Sequence, residues 1–185
     1  MKIHHSNKYQ TANCNFHWLK KPILSGRYRS LLQDNGSLTK RLKQRYHDFS
    51  VNPAQVGYGK PFFDELALLN LAPRNVALMR EVFLMGNHQA VVFAHSVLPR
   101  RILRGLWVGL GCLGNKPLGA SLFGAPKVKR MALSYKKLAP HHPLYQRAMP
   151  GRGEKPTYLW ARRSVFNLHG AKIMVTEVFL PQILL

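Results

Sequence analysis

From residue 76 to residue 97 the chain runs through long apolar and β-branched stretches, broken by Gly86-Asn87-His88. Two apolar runs around so short a break predict a β-hairpin. A second pair of runs, residues 157–168 and 171–180, flanks His169-Gly170 near the C-terminus and predicts another. Together they imply an antiparallel sheet, and Val128 to Leu138 reads as a further strand. Between the hairpins, Leu98 to Phe123 is apolar but rich in glycine, which suits short helical pieces and a tight loop better than strands. Ahead of the sheet, Arg27 to Asp34 predicts a short helix closed by the Asn35-Gly36 breaker. Ser37 then suits an N-cap for a helix from Leu38 to about Tyr46, because its oxygen can accept a free amide of the first turn. The basic side chains Lys40, Arg41, Lys43 and Arg45 of that helix read as a solvated face. Residues 139–156 are proline-rich and carry His141-His142, so they read as a surface excursion without regular structure. The pattern gives an α+β domain over residues 27–185, one antiparallel sheet with helices packed on one side, after a basic, loosely ordered arm at 1–26.

Composition narrows the partners. At 185 residues and 46% hydrophobic, the chain fills one sizeable core, which excludes wholesale disorder and several small domains. Lys and Arg total 28 against 7 Asp and Glu, a formal charge of +21. Such an excess favours anionic ligands through long-range attraction, whether nucleic acid, acidic lipid or a small polycarboxylate. Cys14 and Cys112 are too few for a disulfide scaffold and show no C-x-x-C spacing, so both are expected to be reduced thiols. The first twenty residues carry lysines and histidines but no continuous apolar stretch, so no secretory signal is expected. The most apolar window, Ile102 to Leu113, contains Arg104 and falls far short of the roughly 20 residues that cross a bilayer. A cytoplasmic protein is the expectation. His4-His5 and His141-His142 are adjacent pairs whose side chains diverge in extended backbone, so no metal site is expected. Phosphate-loop, dinucleotide and nucleophile-elbow motifs are missing, and the aromatics are too scattered for a single-strand stacking platform.

Two charges stand on the wrong faces. Alternate strand residues share a face, so Val76, Leu78, Arg80, Val82 and Leu84 line up on one side, and Ala77, Met79, Glu81 and Phe83 on the other. In the last strand Ile173, Val175, Glu177 and Phe179 share a row. Burying either ion alone costs several kcal/mol, so Arg80 and Glu177 each need an opposite charge, a polar ligand or water. One reading is a salt bridge: Arg80 with Glu177, or Glu177 with Arg162, which a two-residue turn at His169-Gly170 places directly opposite. The other is a closed pocket, in which a guanidinium clamps a carboxylate and a carboxylate handles a hydroxyl or proton at the far end. Two stretches add amide donors: the start of the Ser37 helix at Leu38 and Thr39, and the turn from Gly114 to Gly119.

Five blocks carry a resemblance: Ser37-Leu38-Thr39-Lys40-Arg41, Leu78-Met79-Arg80-Glu81-Val82-Phe83-Leu84, Lys116-Pro117-Leu118-Gly119 through Leu122-Phe123, Leu159-Trp160-Ala161-Arg162-Arg163-Ser164 and Val175-Thr176-Glu177-Val178-Phe179-Leu180-Pro181. In order and spacing they resemble the chorismate lyase family, over roughly Arg27 to Pro181. The resemblance implies a six-stranded antiparallel sheet and conversion of chorismate to 4-hydroxybenzoate and pyruvate, the entry step to ubiquinone. It also implies a monomer working without metal or organic cofactor. Carried over, the carboxylate-binding arginine falls on Arg80, the acidic residue at the hydroxyl end on Glu177, and the amide donors on Leu38 and Leu118. These are the positions that face-counting and the amide argument reach.

The chain departs from the resemblance in its basic arm, its 139–156 excursion and its high charge. That charge could steer a dianion or give weak attraction to an acidic membrane surface; no specific nucleic acid is expected. Two readings compete with catalysis: a small-carboxylate-binding module of the same fold, and a basic nucleic-acid-binding protein.

Overall fold

The computed structural model describes residues 17–110, 118–151 and 155–185. Its frame is a seven-stranded antiparallel sheet: β1 (Phe49–Gly59), β2 (Ala77–Gly86), β3 (Gln89–Pro99), β4 (Lys129–Arg130), β5 (Ser134–Leu138), β6 (Leu159–Leu168) and β7 (Ala171–Phe179). The spatial order is β1-β2-β3-β7-β6-β4, with β5 also on β6. Both predicted hairpins form. Asn87 and His88 take positive φ of 48° and 64°, and His169 and Gly170 take 48° and 88°. Positive φ at both central residues makes each a turn whose twist matches the strands it joins.

The α+β class holds, with seven strands where six were expected. The predicted strand at 128–138 is two: β4 and β5 follow each other along the same edge of β6, separated at residues 131–133. The extra strand, β1, had no sequence signal. It is an edge strand, mostly exposed, that holds Asn52, Pro53 and two glycines, and its register shifts between Pro53 and Gln55. An edge position tolerates a residue with no amide to donate.

Helices α1 (Arg29–Leu32), α2 (Leu38–Arg45) and α4 (Leu118–Phe123) cover one face, and α3 (Phe63–Leu66) and α5 (Pro143–Ala148) the other. The helices are therefore not confined to one side. Ser37 caps α2 as its sequence predicts, its Oγ accepting from the Lys40 amide at 3.3 Å. Leu32 and Leu42 are fully buried beneath it, each worth about 1.5–3 kcal/mol. Helix α5 corrects the expectation that residues 139–156 lack regular structure. Pro143 sits in the first turn, where a missing amide costs nothing, His142 Nδ1 accepts from the Leu144 amide at 3.2 Å, and Leu144, Tyr145 and Ala148 are buried. The end of the basic arm joins the sheet: Leu19 and Tyr135 exchange backbone hydrogen bonds of 2.7 and 2.9 Å. Among the described residues no helix is long and apolar enough to cross a membrane.

Candidate functional site

Strand pairing decides which side chains meet. Arg80 lies opposite Ser96, Ala94 opposite Glu177, and Glu177 opposite Arg162. Arg80, Ser96, Glu177, Arg162 and Ser164 thus share the face beneath α1, α2 and α4. Arg80 and Glu177 are two strand spacings apart and offset by two residues, roughly 12 Å between Cα atoms.

Over this face lies a narrow, partly enclosed cavity walled by both charged and apolar side chains. Its floor is apolar around the ions: Val82, Leu84, Ala94, Val175 and Phe166. Its roof is built where the start of α2, at Ser37, Leu38 and Thr39, meets the start of α4, at Leu118 and Gly119. The two starts abut closely: a Cβ on Gly119 would lie 3.2 Å from Thr39 Oγ1 and 3.5 Å from Ser37 Oγ. The positions expected to supply amides, Leu38 and Leu118, therefore lie side by side, both buried. Residues 114–117 of the expected turn lie outside the described residues.

The salt-bridge reading is met in one of its forms. Arg162 Nε donates to Glu177 Oε2, while Arg162 Nη1 donates to the carbonyls of Leu31 at 2.8 Å and Asp34 at 2.7 Å. Arg162 is fully buried, so one side chain ties Glu177 to the segment that leads into α2. Glu177 keeps 15% exposure and lines the cavity. Among the described residues Oε1 accepts no hydrogen bond and is the oxygen left for a ligand. Arg80 is 4% exposed at the cavity wall, and burial pulls its pKa below the usual arginine value. Desolvation of this kind strengthens an arginine's attraction for an anion that enters beside it.

Arg130 was not singled out in the sequence, where it lies in the predicted strand Val128 to Leu138 close to Lys127 and Lys129. In the fold it lines the cavity. Its Nε and Nη2 donate to Ser164 Oγ at 2.9 and 2.6 Å, and Nη1 donates to the Asn35 carbonyl at 2.9 Å. The guanidinium lies 5.3 Å from the Phe123 ring centroid and 5.6 Å from that of Phe166, a cation–π clamp. Burial lowers its pKa, and the Glu177 carboxylate acts against that shift. Arg80 and Arg130 on the walls, with Arg162 behind, face one carboxylate. A cavity so charged favours a small organic anion.

The opposite sheet face carries a second polar cluster that the sequence hid, apart from the placement of Glu81 there. His95 is fully buried, with Nδ1 2.8 Å from Glu81 Oε1 and Nε2 3.3 Å from Glu65 Oε1. Burial disfavours the charged ring, but the two carboxylates outweigh it and raise the His95 pKa. Arg147 pairs with Glu81 at 2.6 Å, and Arg163 with Asp64 at 2.8 Å, its guanidinium 3.8 Å from the Trp18 ring centroid. These groups sit behind the cavity floor. Among the described residues no group of three or more His, Cys, Asp or Glu could hold a metal ion.

Comparison with known proteins gives the family. Residues 15–185 match the family described as Chorismate lyase. The chain is 46% identical over 174 residues to a probable chorismate pyruvate-lyase of Thiobacillus denitrificans, covering 94% of this chain and 93% of the relative. It is 50% identical over 162 residues to one of Nitrosospira multiformis, covering 87% and 90%. Among solved structures it resembles the effector domain of PhnF from Mycobacterium smegmatis, with TM-score 0.58 and 13% identity over 80% of this chain and 90% of that one. That similarity speaks to fold alone.

Proposed function

Given that the chain belongs to the chorismate lyase family and is therefore a carbon–oxygen lyase acting on chorismate, we propose that it releases 4-hydroxybenzoate and pyruvate, feeding ubiquinone synthesis. The observation that carries this reading is the placement of Arg80 and Glu177 on one sheet face, at the wall of one cavity. Their separation suits a para-substituted six-membered ring with a hydrogen bond at each end.

Arg80, with the amides of Leu38 and Leu118, holds the ring carboxylate. Glu177, steadied by Arg162, accepts a hydrogen bond from the ring hydroxyl. In the reaction the bond from the ring to the enolpyruvyl oxygen breaks. The hydrogen on the hydroxyl-bearing carbon leaves as a proton, and the ring becomes aromatic. The released enolpyruvate takes up a proton at its methylene carbon and becomes pyruvate, so the net change is redox-neutral. Catalysis then rests on holding the ether and the departing hydrogen in register and on balancing negative charge as it moves onto the enolpyruvyl oxygen. Arg130 keeps that end of the cavity positive, and Glu177 is placed to relay the proton.

Incubation of the purified protein with chorismate tests this. The expected result is 4-hydroxybenzoate absorbance with an equal amount of pyruvate, measured by a coupled dehydrogenase. Chorismate binding without either product would leave a binding module and overturn the catalytic reading.

A further inference from the structure

A second basic concavity lies away from the cavity, where β3 ends and β2 begins. Leu71, Arg74, Asn75, Val76, Arg100, Arg101 and Arg104 form its wall. All four arginines are exposed, and none pairs with a carboxylate among the described residues. Arg101 donates to the Asn70 carbonyl at 3.3 Å, and Arg100 lies 5.6 Å from the Tyr58 ring centroid. Concentrating four cations without counter-charges is unfavourable by self-repulsion unless an anionic surface covers them.

The same segment exposes aliphatic side chains. Leu106 is 52% and Val108 77% exposed, and both edge an apolar groove with Val128 and Leu168. They cannot turn inward, because Trp107 between them is 4% exposed and its Nε1 donates to the Ala171 carbonyl at 3.0 Å. Leu110 is buried as well. The buried Trp107 and Leu110 pin the segment to the sheet and hold Leu106 and Val108 outward. Exposed cations, followed along the same segment by aliphatic groups held outward, match the layering of a lipid interface, with anionic headgroups above acyl chains. A nucleic acid would use the arginines but would gain nothing from the aliphatic pair.

We propose that Arg74 and the segment from Arg100 to Leu110 form a docking surface for an anionic lipid bilayer, with the arginines at the headgroups and Leu106 and Val108 at the acyl boundary. The net charge of +21 brings the protein to such a surface, and this site orients it there. The surface is independent of the reaction assigned to the cavity.

Co-sedimentation of the full chain with vesicles tests it, comparing pure phosphatidylcholine with vesicles holding about 30% phosphatidylglycerol at about 0.1 M salt. The protein is expected to bind the anionic vesicles and not the neutral ones. Each arginine at the surface is worth roughly five-fold in partitioning, so Arg74→Gln, Arg100→Gln, Arg101→Gln and Arg104→Gln together should weaken binding at least about 50-fold. A control that removes four other exposed charges, Lys20→Gln, Lys21→Gln, Lys43→Gln and Arg45→Gln, should retain most of it. Leu106→Ser with Val108→Ser should weaken vesicle binding several-fold with charge unchanged. Lyase activity and the thermal transition should persist in every variant. Equal binding by the two quadruple variants would overturn the proposal. So would vesicle binding that is indifferent to Leu106→Ser and Val108→Ser. RNA binding lost on removal of the four groove arginines, without vesicle binding by the parent, would assign the surface to nucleic acid instead.

Discussion

Arg80→Met separates a ligand-binding arginine from a structural one. Arg80 stands in the row of Leu78 and Val82, opposite Val56 and Ser96, and is 4% exposed. Methionine has a stem of similar reach and suits the apolar row. Burial depresses the Arg80 pKa, so folding holds this charge against the desolvation penalty. Arg80 has contacts of its own in the fold, and removing one partner of a buried polar contact costs about 1–3 kcal/mol. We expect a modest loss of stability, about 2–4 °C in Tm for each 1 kcal/mol, with the protein still folded at the assay temperature. The ligand has more to lose. Two hydrogen bonds to a carboxylate are each worth about 1.5–3 kcal/mol, and the amides of Leu38 and Leu118 recover part of that. A net loss of about 3–4 kcal/mol corresponds to roughly 200- to 1000-fold in kcat/KM. Initial rates on chorismate and thermal unfolding of the same preparation read both quantities. A kcat/KM within tenfold of the parent would refute the carboxylate clamp. Activity lost in proportion to a lowered Tm would make Arg80 a strut.

Other outcomes follow from the same geometry. Glu177→Gln keeps the shape and an acceptor but removes the proton relay, so kcat should fall about 100-fold or more with KM little changed; a near-normal kcat would remove Glu177 from the chemistry. Gly86→Ala should lower stability by about 1–3 kcal/mol, because its Cβ would lie 2.5 Å from the Tyr46 ring; turnover below the transition should be unchanged, and an unaltered Tm would contradict the packing. Stability should also depend on pH through the far-face cluster. The His95 pKa is raised above 6.5 on folding, so its contribution is complete below that pH and is lost as pH rises through the folded value. Burial acts to raise the Glu81 pKa, but the hydrogen bonds from His95 and Arg147 outweigh it and set it below 4.5; its contribution is complete above 4.5 and is lost as pH falls through the folded value. In urea unfolding, His95→Gln should flatten the decline of stability above neutral pH, and an unchanged slope would refute the charged pairing.

The positions that the sequence made legible share a physical reason. A two-residue turn sets register, so His169-Gly170 alone puts Arg162 opposite Glu177, and one-residue slips are excluded where a face is buried. An N-cap serine announces its helix, so the roof at Ser37 was also readable. Strand β1 was not, because an exposed edge strand buries too little to need apolar alternation. His95 was not, because β3 is buried on both faces and its side chains show no alternation against which a polar residue stands out. Arg130 was hidden by its basic neighbours, and its role depends on Ser164, Asn35 and Phe123, which come from distant segments. Helix α5 was obscured by prolines that count against a helix interior yet fit its first turn.

The central claim is that one cavity holds opposite ends of an aromatic acid between Arg80 and Glu177. A crystal structure with 4-hydroxybenzoate bound tests it most directly. The carboxylate is expected within hydrogen-bond distance of the Arg80 guanidinium and of the Leu38 and Leu118 amides, with the phenolic oxygen beside Glu177. A ligand seated outside this cavity, or lying with its hydroxyl on Arg80, would contradict it.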